Sequence, residues 1–253
     1  MIKKILVTGS TRGIGLGIAE KFHSEGWNVC INGRNQNLVT QITDGLNKKR
    51  RESSIGIRAD LSNLSEINLM SEVIKTHWSA LDCIVFNIGS GHGSKGISST
   101  MEENLSSLKT NFLEVVNSFN NLHKLLLQSK PSSAIFIGSI AQDTNVNAPI
   151  SYAYSKKALN NFARYQAIGL SKAKISVNVV NPGHIFTEGG VWARKKQNSL
   201  EEFNEFIAKN IPAQRIGTTS EVAELVFSIT NASLGNFLSG VSINLDGGTS
   251  INA

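Results

Sequence analysis

The sequence predicts an α/β fold: an open, doubly wound parallel sheet of about seven strands flanked by helices. Three observations predict it. Short β-branched runs alternate with longer amphipathic stretches along the chain. The runs are almost continuously apolar, as in Ile84-Val85-Phe86, which fits strands buried on both faces. Strands separated by helices of this length require βαβ crossovers, and those give a parallel sheet. The 253 residues, 40% of them apolar, suffice for one such domain with a substantial core.

The first strand, Lys4–Val7, runs into Thr8-Gly-Ser-Thr-Arg-Gly13-Ile-Gly15, whose glycines open a helix over 14–25. The second strand, Asn28–Asn32, contains Cys30 and ends in Asn32-Gly33-Arg34-Asn35. A helix over 36–50 follows and closes on Lys48-Lys-Arg-Arg51, where cations meet the negative end of the helix dipole. The third strand, Ile55–Ala59, precedes Asp60-Leu61 and a helix over 64–78. The fourth, Cys83–Phe86, leads through a glycine-rich turn over 89–96 to one long helix over 101–128. The fifth, Ala134–Ile137, stops just before Ser139, and a helix over 152–171 carries Tyr152 and Lys156. The sixth is Ser176–Val180. Segment 187–212 reads as an insertion with Gly189-Gly190 and charged helical sequence ending at Pro212, a candidate substrate lid. Its Trp192 and Arg194 are candidates for a stacking face and an anion contact. A helix over 219–230 and a strand over Val241–Leu245 complete the series. No repeat or linker divides the chain, so residues 1–253 are expected to form one domain.

Composition excludes several classes. A net charge of +6 without a dense basic block argues against nucleic-acid binding. No apolar run approaches the ~18 residues of a membrane span. The N-terminus is too quickly followed by Thr8-Gly9 for a signal peptide, so a cytoplasmic location is expected. Cys30 and Cys83 read as buried free thiols, and the five histidines lack metal-ligand spacing, so no metal site is expected.

The chemistry is concentrated in a few residues. On a helix, Tyr152 and Lys156 share a face, because residues four apart do. A nearby cation stabilises a phenolate and lowers its pKa from about 10. Ser139, at a neighbouring strand end, could hold the oxygen that receives the proton. Of the three tyrosines only Tyr152 has a lysine at i+4. Gly9, Gly13 and Gly15, with Ser10, Thr11, Arg12 and Ile14 between them, suit a pyrophosphate at a helix N-terminus. The second strand ends without the carboxylate that would bind a ribose diol. Arg34 and Arg12 instead suit a 2′-phosphate, so NADP(H) is expected over NAD(H). The constellation reads as carbonyl reduction with a nicotinamide cofactor.

Along nearly its whole length the chain resembles the short-chain dehydrogenase/reductase family, with the motifs in family order. Besides the glycine loop and Ser139, Tyr152 and Lys156, it has Asp60-Leu61, Asn87-Ile88-Gly89, Asn111, and Asn181-Pro182-Gly183 with Thr187. The resemblance implies a Rossmann-type fold and a role for each residue. Tyr152 is the acid/base, Ser139 holds the substrate oxygen, and Lys156 lowers the tyrosine pKa and binds the nicotinamide ribose. Asn111 links Lys156 to a proton relay. Asp60 and Leu61 contact the adenine, Asn87 and Gly89 line the cofactor, and Pro182, Gly183, Ile185 and Thr187 hold the nicotinamide. Ile88 and Phe86 depart from the family's Asn-Asn-Ala-Gly pattern. The resemblance also implies a homotetramer built on the helices over 101–128 and 152–171.

The stretch Pro212-Ala-Gln-Arg-Ile-Gly217 and the tail from Ser239 to Gly248 resemble 3-oxoacyl thioester reductases of fatty-acid synthesis, which act on small or carrier-bound carbonyls. The glycine-rich turn and Trp192 instead suit a sugar or sugar-nucleotide derivative of surface-polysaccharide metabolism. A non-catalytic NADP(H)-binding sensor is a third reading.

Overall fold

The structure is a computed structural model that describes residues 2–91, 93, 98–230 and 237–251. Seven strands form one sheet, all parallel: β1 (Lys4–Val7), β2 (Asn28–Gly33), β3 (Ser54–Arg58), β4 (Cys83–Phe86), β5 (Ser132–Ile137), β6 (Ile175–Pro182) and β9 (Ser242–Leu245). Their spatial order is β3-β2-β1-β4-β5-β6-β9. The winding reverses between β1 and β4, so a crevice opens at their carboxyl ends, where such sheets bind ligands. Both faces of the inner strands are buried, as the apolar runs require, while the edge strands β3 and β9 keep exposed residues. Leu6 joins Ile84, Phe86 and Phe136 under one helical layer, while Ile5 and Val7 join Ile18, Phe22 and Val226 under the other.

Helices α1 (Gly13–Ser24), α2 (Gln36–Lys49), α3 (Leu64–Trp78) and α9 (Thr219–Thr230) lie where the sequence places them, within a residue or so. Asn35 caps α2 by accepting the Leu38 N–H at 3.1 Å, and Asn63 caps α3 through the Ser65 N–H at 3.0 Å. Helix α6 (Ile150–Leu170) begins two residues earlier than expected, directly after Pro149.

Two regions differ from the expectation. The single helix over 101–128 is instead α4 (Met101–Leu108), a π-helical turn over Lys109–Leu113, α5 (Glu114–Leu122) and a 3₁₀ turn over His123–Leu125. The break is made by Asn111, described below. The lid segment contains two helices, α7 (Val191–Asn198) and α8 (Leu200–Asn210), the second capped by Ser199. A separate parallel pair, β7 (Ile185–Phe186) with β8 (Gly217–Thr218), closes the base of this segment. Of the glycine-rich turn over 89–96, residues 92 and 94–96 lie outside the described residues.

Candidate active site

The crevice between β1 and β4 is held by Asn87, which follows β4. Its backbone N–H donates to Thr8 Oγ1 at 2.9 Å. Its side-chain amide donates to the Thr8 carbonyl at 3.3 Å and the Gly9 carbonyl at 3.2 Å. Gly15 is required by this clasp: a Cβ there would lie 2.4 Å from the Gly9 oxygen and 2.5 Å from the Asn87 amide nitrogen. Gly9 and Gly13 both have positive φ, the left-handed conformation glycine adopts without penalty. Helix α1 has no side-chain N-cap, so the first-turn N–H groups of Gly13, Ile14 and Gly15 have no capping side chain. That arrangement fits a phosphate group. Ser10 is buried, and Ile14 packs against the core. A Cβ on Gly13 would meet Thr187 Cγ2 at 3.5 Å, so the glycine loop and Thr187 are neighbours. Pro182 ends β6, the Gly183 N–H donates to the Leu245 carbonyl at 2.9 Å, and Ile185 is buried in β7.

At the outer end of the crevice, Arg12 and Arg34 are exposed. The Asp60 carboxyl is held below its ordinary pKa by the Ser62 N–H, with Arg34 and Arg58 adding to the effect. Leu61 is buried in the core. Sequence reasoning missed two groups here. Arg58, opposite Gly33 in the β2–β3 ladder, pairs with Glu66 at 2.6 Å and donates to the Arg34 carbonyl at 3.4 Å. Asn32 is buried at the end of β2 and bonds to the glycine loop. Its position at a strand end beside Gly33 was the signal that could have found it.

The reactive groups converge on the other side of the crevice. Ser139 follows β5 in extended backbone and accepts the Ala141 N–H at 3.2 Å. Tyr152 lies in the first turn of α6, near enough to Ser139 for that hydroxyl to lower its phenol pKa. One turn further, Lys156 is only 3% exposed, with Nζ 5.8 Å from the Tyr152 ring centroid. That amine donates to the Ile137 carbonyl at 2.9 Å and the Ile88 carbonyl at 3.5 Å. A Cβ on Gly89 would lie 2.9 Å from Lys156 Nζ and 3.0 Å from Asn111 Oδ1, which locates all three together.

Burial sets the protonation of this group. Removing the ammonium from water pushes Lys156 down to about 8. The Tyr152 phenol is raised above its ordinary value by burial, and the Ser139 hydrogen bond offsets part of that. The two side chains share a face, with the ammonium turned towards the strand-end carbonyls.

Asn111 is fully buried. Its Oδ1 accepts the Ser90 N–H at 2.8 Å, and its Nδ2 donates to the Ser90 carbonyl and the Ser107 carbonyl, each at 3.0 Å. These bonds fix the loop after β4 to the helix from within the π turn, a feature often found at functional sites. A cleft of about 360 Å³ lies beside it, lined by Ser90, Ser107, Thr110 and Asn111 together with Glu102 and Glu103.

The lid expectation also changes. Trp192 packs inside the lid against His184 at 4.8 Å, Phe206 at 4.7 Å and Phe203 at 6.5 Å, with Lys195 over its ring at 4.6 Å. It is a packing centre of the lid and stays half-buried. Arg194 donates to the Gly189 carbonyl at 3.1 Å. His184 ties the lid to the end of β6 through its ring contacts with Trp192 and Phe206; burial, with Lys195 adding, pushes it down to about 4. Among the described residues no cluster of His, Cys, Asp and Glu could hold a metal ion, and no helix is long and apolar enough to cross a membrane.

A sequence profile of the family described as enoyl-(acyl carrier protein) reductase matches residues 9–250. The chain is 27% identical over 247 residues to the 3-oxoacyl-[acyl-carrier-protein] reductase MabA of Mycobacterium tuberculosis, spanning 97% of this chain and 92% of that protein. It is 26% identical over 246 residues to the 3-oxoacyl-[acyl-carrier-protein] reductase FabG of Haemophilus influenzae, spanning 97% of each. Among solved structures, the RhlG/NADP active-site complex of Pseudomonas aeruginosa superposes with a TM-score of 0.89 at 27% identity, covering 98% of this chain and 96% of that one. ElxO with NADP bound superposes with a TM-score of 0.89 at 25% identity over 100% of both chains.

Proposed function

The chain belongs to the short-chain dehydrogenase/reductase family, and from that premise we propose that it is an NADP(H)-dependent oxidoreductase interconverting a ketone and a secondary alcohol. The observation that carries the reading is the convergence of Ser139, Tyr152 and Lys156 beside the Asn87-clasped glycine loop. The nicotinamide, when bound, supplies the hydride. Tyr152 donates its proton to the carbonyl oxygen, or takes it back in the reverse direction. Ser139 holds that oxygen by hydrogen bonding. Lys156 supplies positive charge and holds the ribose, and Asn111 links Lys156 to a proton relay. Gly9, Ser10, Thr11, Arg12, Gly13, Ile14 and Gly15 bind the pyrophosphate, and Arg34 with Arg12 binds the 2′-phosphate. Asp60 and Leu61 receive the adenine; Asn87, Gly89, Pro182, Gly183, Ile185 and Thr187 line the nicotinamide half.

The substrate we favour is a 3-oxoacyl thioester, free or carrier-bound, as the names of MabA and FabG suggest. The cleft beside Asn111, with Glu102, Glu103 and Thr110 in its lining, supports a second substrate class, a sugar or sugar-nucleotide derivative. Residues 1–253 act as one domain with 187–212 as lid. Exposed Leu105, Leu113, Tyr165 and Ile168 support a homotetramer through the α4–α5 and α6 faces, and we place the protein in the cytoplasm.

The test is oxidation of NADPH by an acetoacetyl thioester, with Tyr152→Phe as control. Turnover that vanishes in the variant while NADPH still binds supports both the chemistry and the thioester. Retained turnover in the variant refutes the role of Tyr152. NADPH binding without turnover across thioester and sugar carbonyls favours a sensor.

A further inference from the structure

An acid at the end of β2 would select the ribose diol of NAD. The packing there leaves it no place. Asn32 Oδ1 accepts the Gly9 N–H at 3.3 Å, and Nδ2 donates to the Ile57 and Ala59 carbonyls, each at 3.3 Å. Its backbone brackets Ser10: the Ser10 N–H donates to the Asn32 carbonyl at 2.9 Å, and Ser10 Oγ accepts the Asn32 N–H at 2.9 Å. A carboxylate at 32 would turn an oxygen towards two carbonyl oxygens where the amide now donates.

Gly33 is buried, and a Cβ on it would lie 2.5 Å from Thr11 Cγ2 and 3.0 Å from Thr11 Oγ1. The first distance is far inside van der Waals contact, so any side chain at 33 must displace Thr11 or the strand. The Thr11 Cβ itself would lie 3.4 Å away, a tolerable contact. The obstruction is therefore the branched end of Thr11.

We propose that Thr11 and Gly33 form a steric lock on cofactor class. The Thr11 methyl fills the space through which a side chain at 33 would leave β2. The 2′ position of the ribose is then met by cations at 12 and 34 and not by a carboxylate. This inference rests on the NADP(H) reading above. It makes Thr11 a specificity-determining residue by exclusion, in addition to any contact it makes with phosphate.

The experiment is a double-mutant cycle on the full chain. Dissociation constants for NADPH and NADH are measured for the wild type, Thr11→Ala, Gly33→Asp and the double variant. Gly33→Asp alone is expected to weaken both cofactors, because the loop must move. The double variant is expected to bind NADH at least about tenfold more tightly than Gly33→Asp does, a coupling typical of residues in contact. NADH binding by Gly33→Asp alone as tight as by the double variant overturns the lock. A second pair needs no cofactor. Gly33→Ala is expected to lower the melting temperature in the wild-type background and to be largely tolerated in Thr11→Ala. Equal losses in both backgrounds overturn the lock. Equal wild-type affinity for NADPH and NADH would refute the NADP(H) reading separately, with the melting pair still deciding whether the contact exists.

Discussion

Replacing Lys156 with methionine tests the electrostatics of the site independently of any substrate. The lysine is 3% exposed, and burial pushes it from 10.5 to about 8. A displacement of about 2.5 units, at about 1.36 kcal/mol each, means the folded protein spends about 3 kcal/mol holding the ammonium charged at neutral pH. The unfolded chain keeps this proton up to about pH 10.5, whereas the folded chain releases it near pH 8. Between those values the unfolded state binds more protons, so stability rises with pH. Below pH 8 both states are protonated and the penalty is constant. Methionine carries no such charge and has similar length. The assay is urea unfolding of both proteins from pH 7 to 10.5, plotted as the difference between them, which cancels groups common to both. The wild type is expected to gain about 3 kcal/mol relative to Lys156→Met across that window. At pH 7 the variant should be no less stable than the wild type by more than the hydrogen bonds it loses, about 1–3 kcal/mol. A flat difference, or one of opposite sign, would refute the idea that burial depresses this amine.

Two further predictions follow from buried polar groups. Asn111→Leu leaves the Ser90 N–H and the Ser90 and Ser107 carbonyls without their side-chain partner, and should cost about 2–4 kcal/mol in urea unfolding together with loss of turnover. A loss under about 1 kcal/mol would show that water replaces the amide. His184, pushed down to about 4, must take up a proton on acid unfolding. Wild-type stability should therefore fall by about 3 kcal/mol between pH 6.5 and 4 relative to His184→Phe, and parallel pH curves would contradict this.

The parallel sheet was legible because its inner strands are apolar runs flanked by turn residues, and such runs fit strands buried on both faces. The order of the glycine loop, Ser139, Tyr152 and Lys156 was equally legible, since spacing alone puts Tyr152 and Lys156 on one helical face. What the sequence could not convey depends on contacts distant along the chain. The break in the helix over 101–128 comes from Asn111 reaching Ser90, twenty-one residues earlier. The β7–β8 pair has two residues per strand, too few to show alternation. The packing of Trp192 was not legible because its partners His184 and Phe206 are distant along the chain. The direction of the Lys156 amine was not legible either, because its partners, the Ile137 and Ile88 carbonyls, lie at the ends of two other strands.

The π turn also sets the phase of everything after it. An α-helix advances about 100° per residue, so one extra residue in a turn rotates all later side chains by about that angle. In this chain the half before the turn packs on α6, and the half after it packs on α3 while still meeting α6 through Phe119 and Phe162. Deleting one residue between 109 and 113 would thus do more than move Asn111. It would turn Val115, Phe119 and Leu122 out of the core they now fill. The site and the hydrophobic layer share one register, and neither can drift without the other.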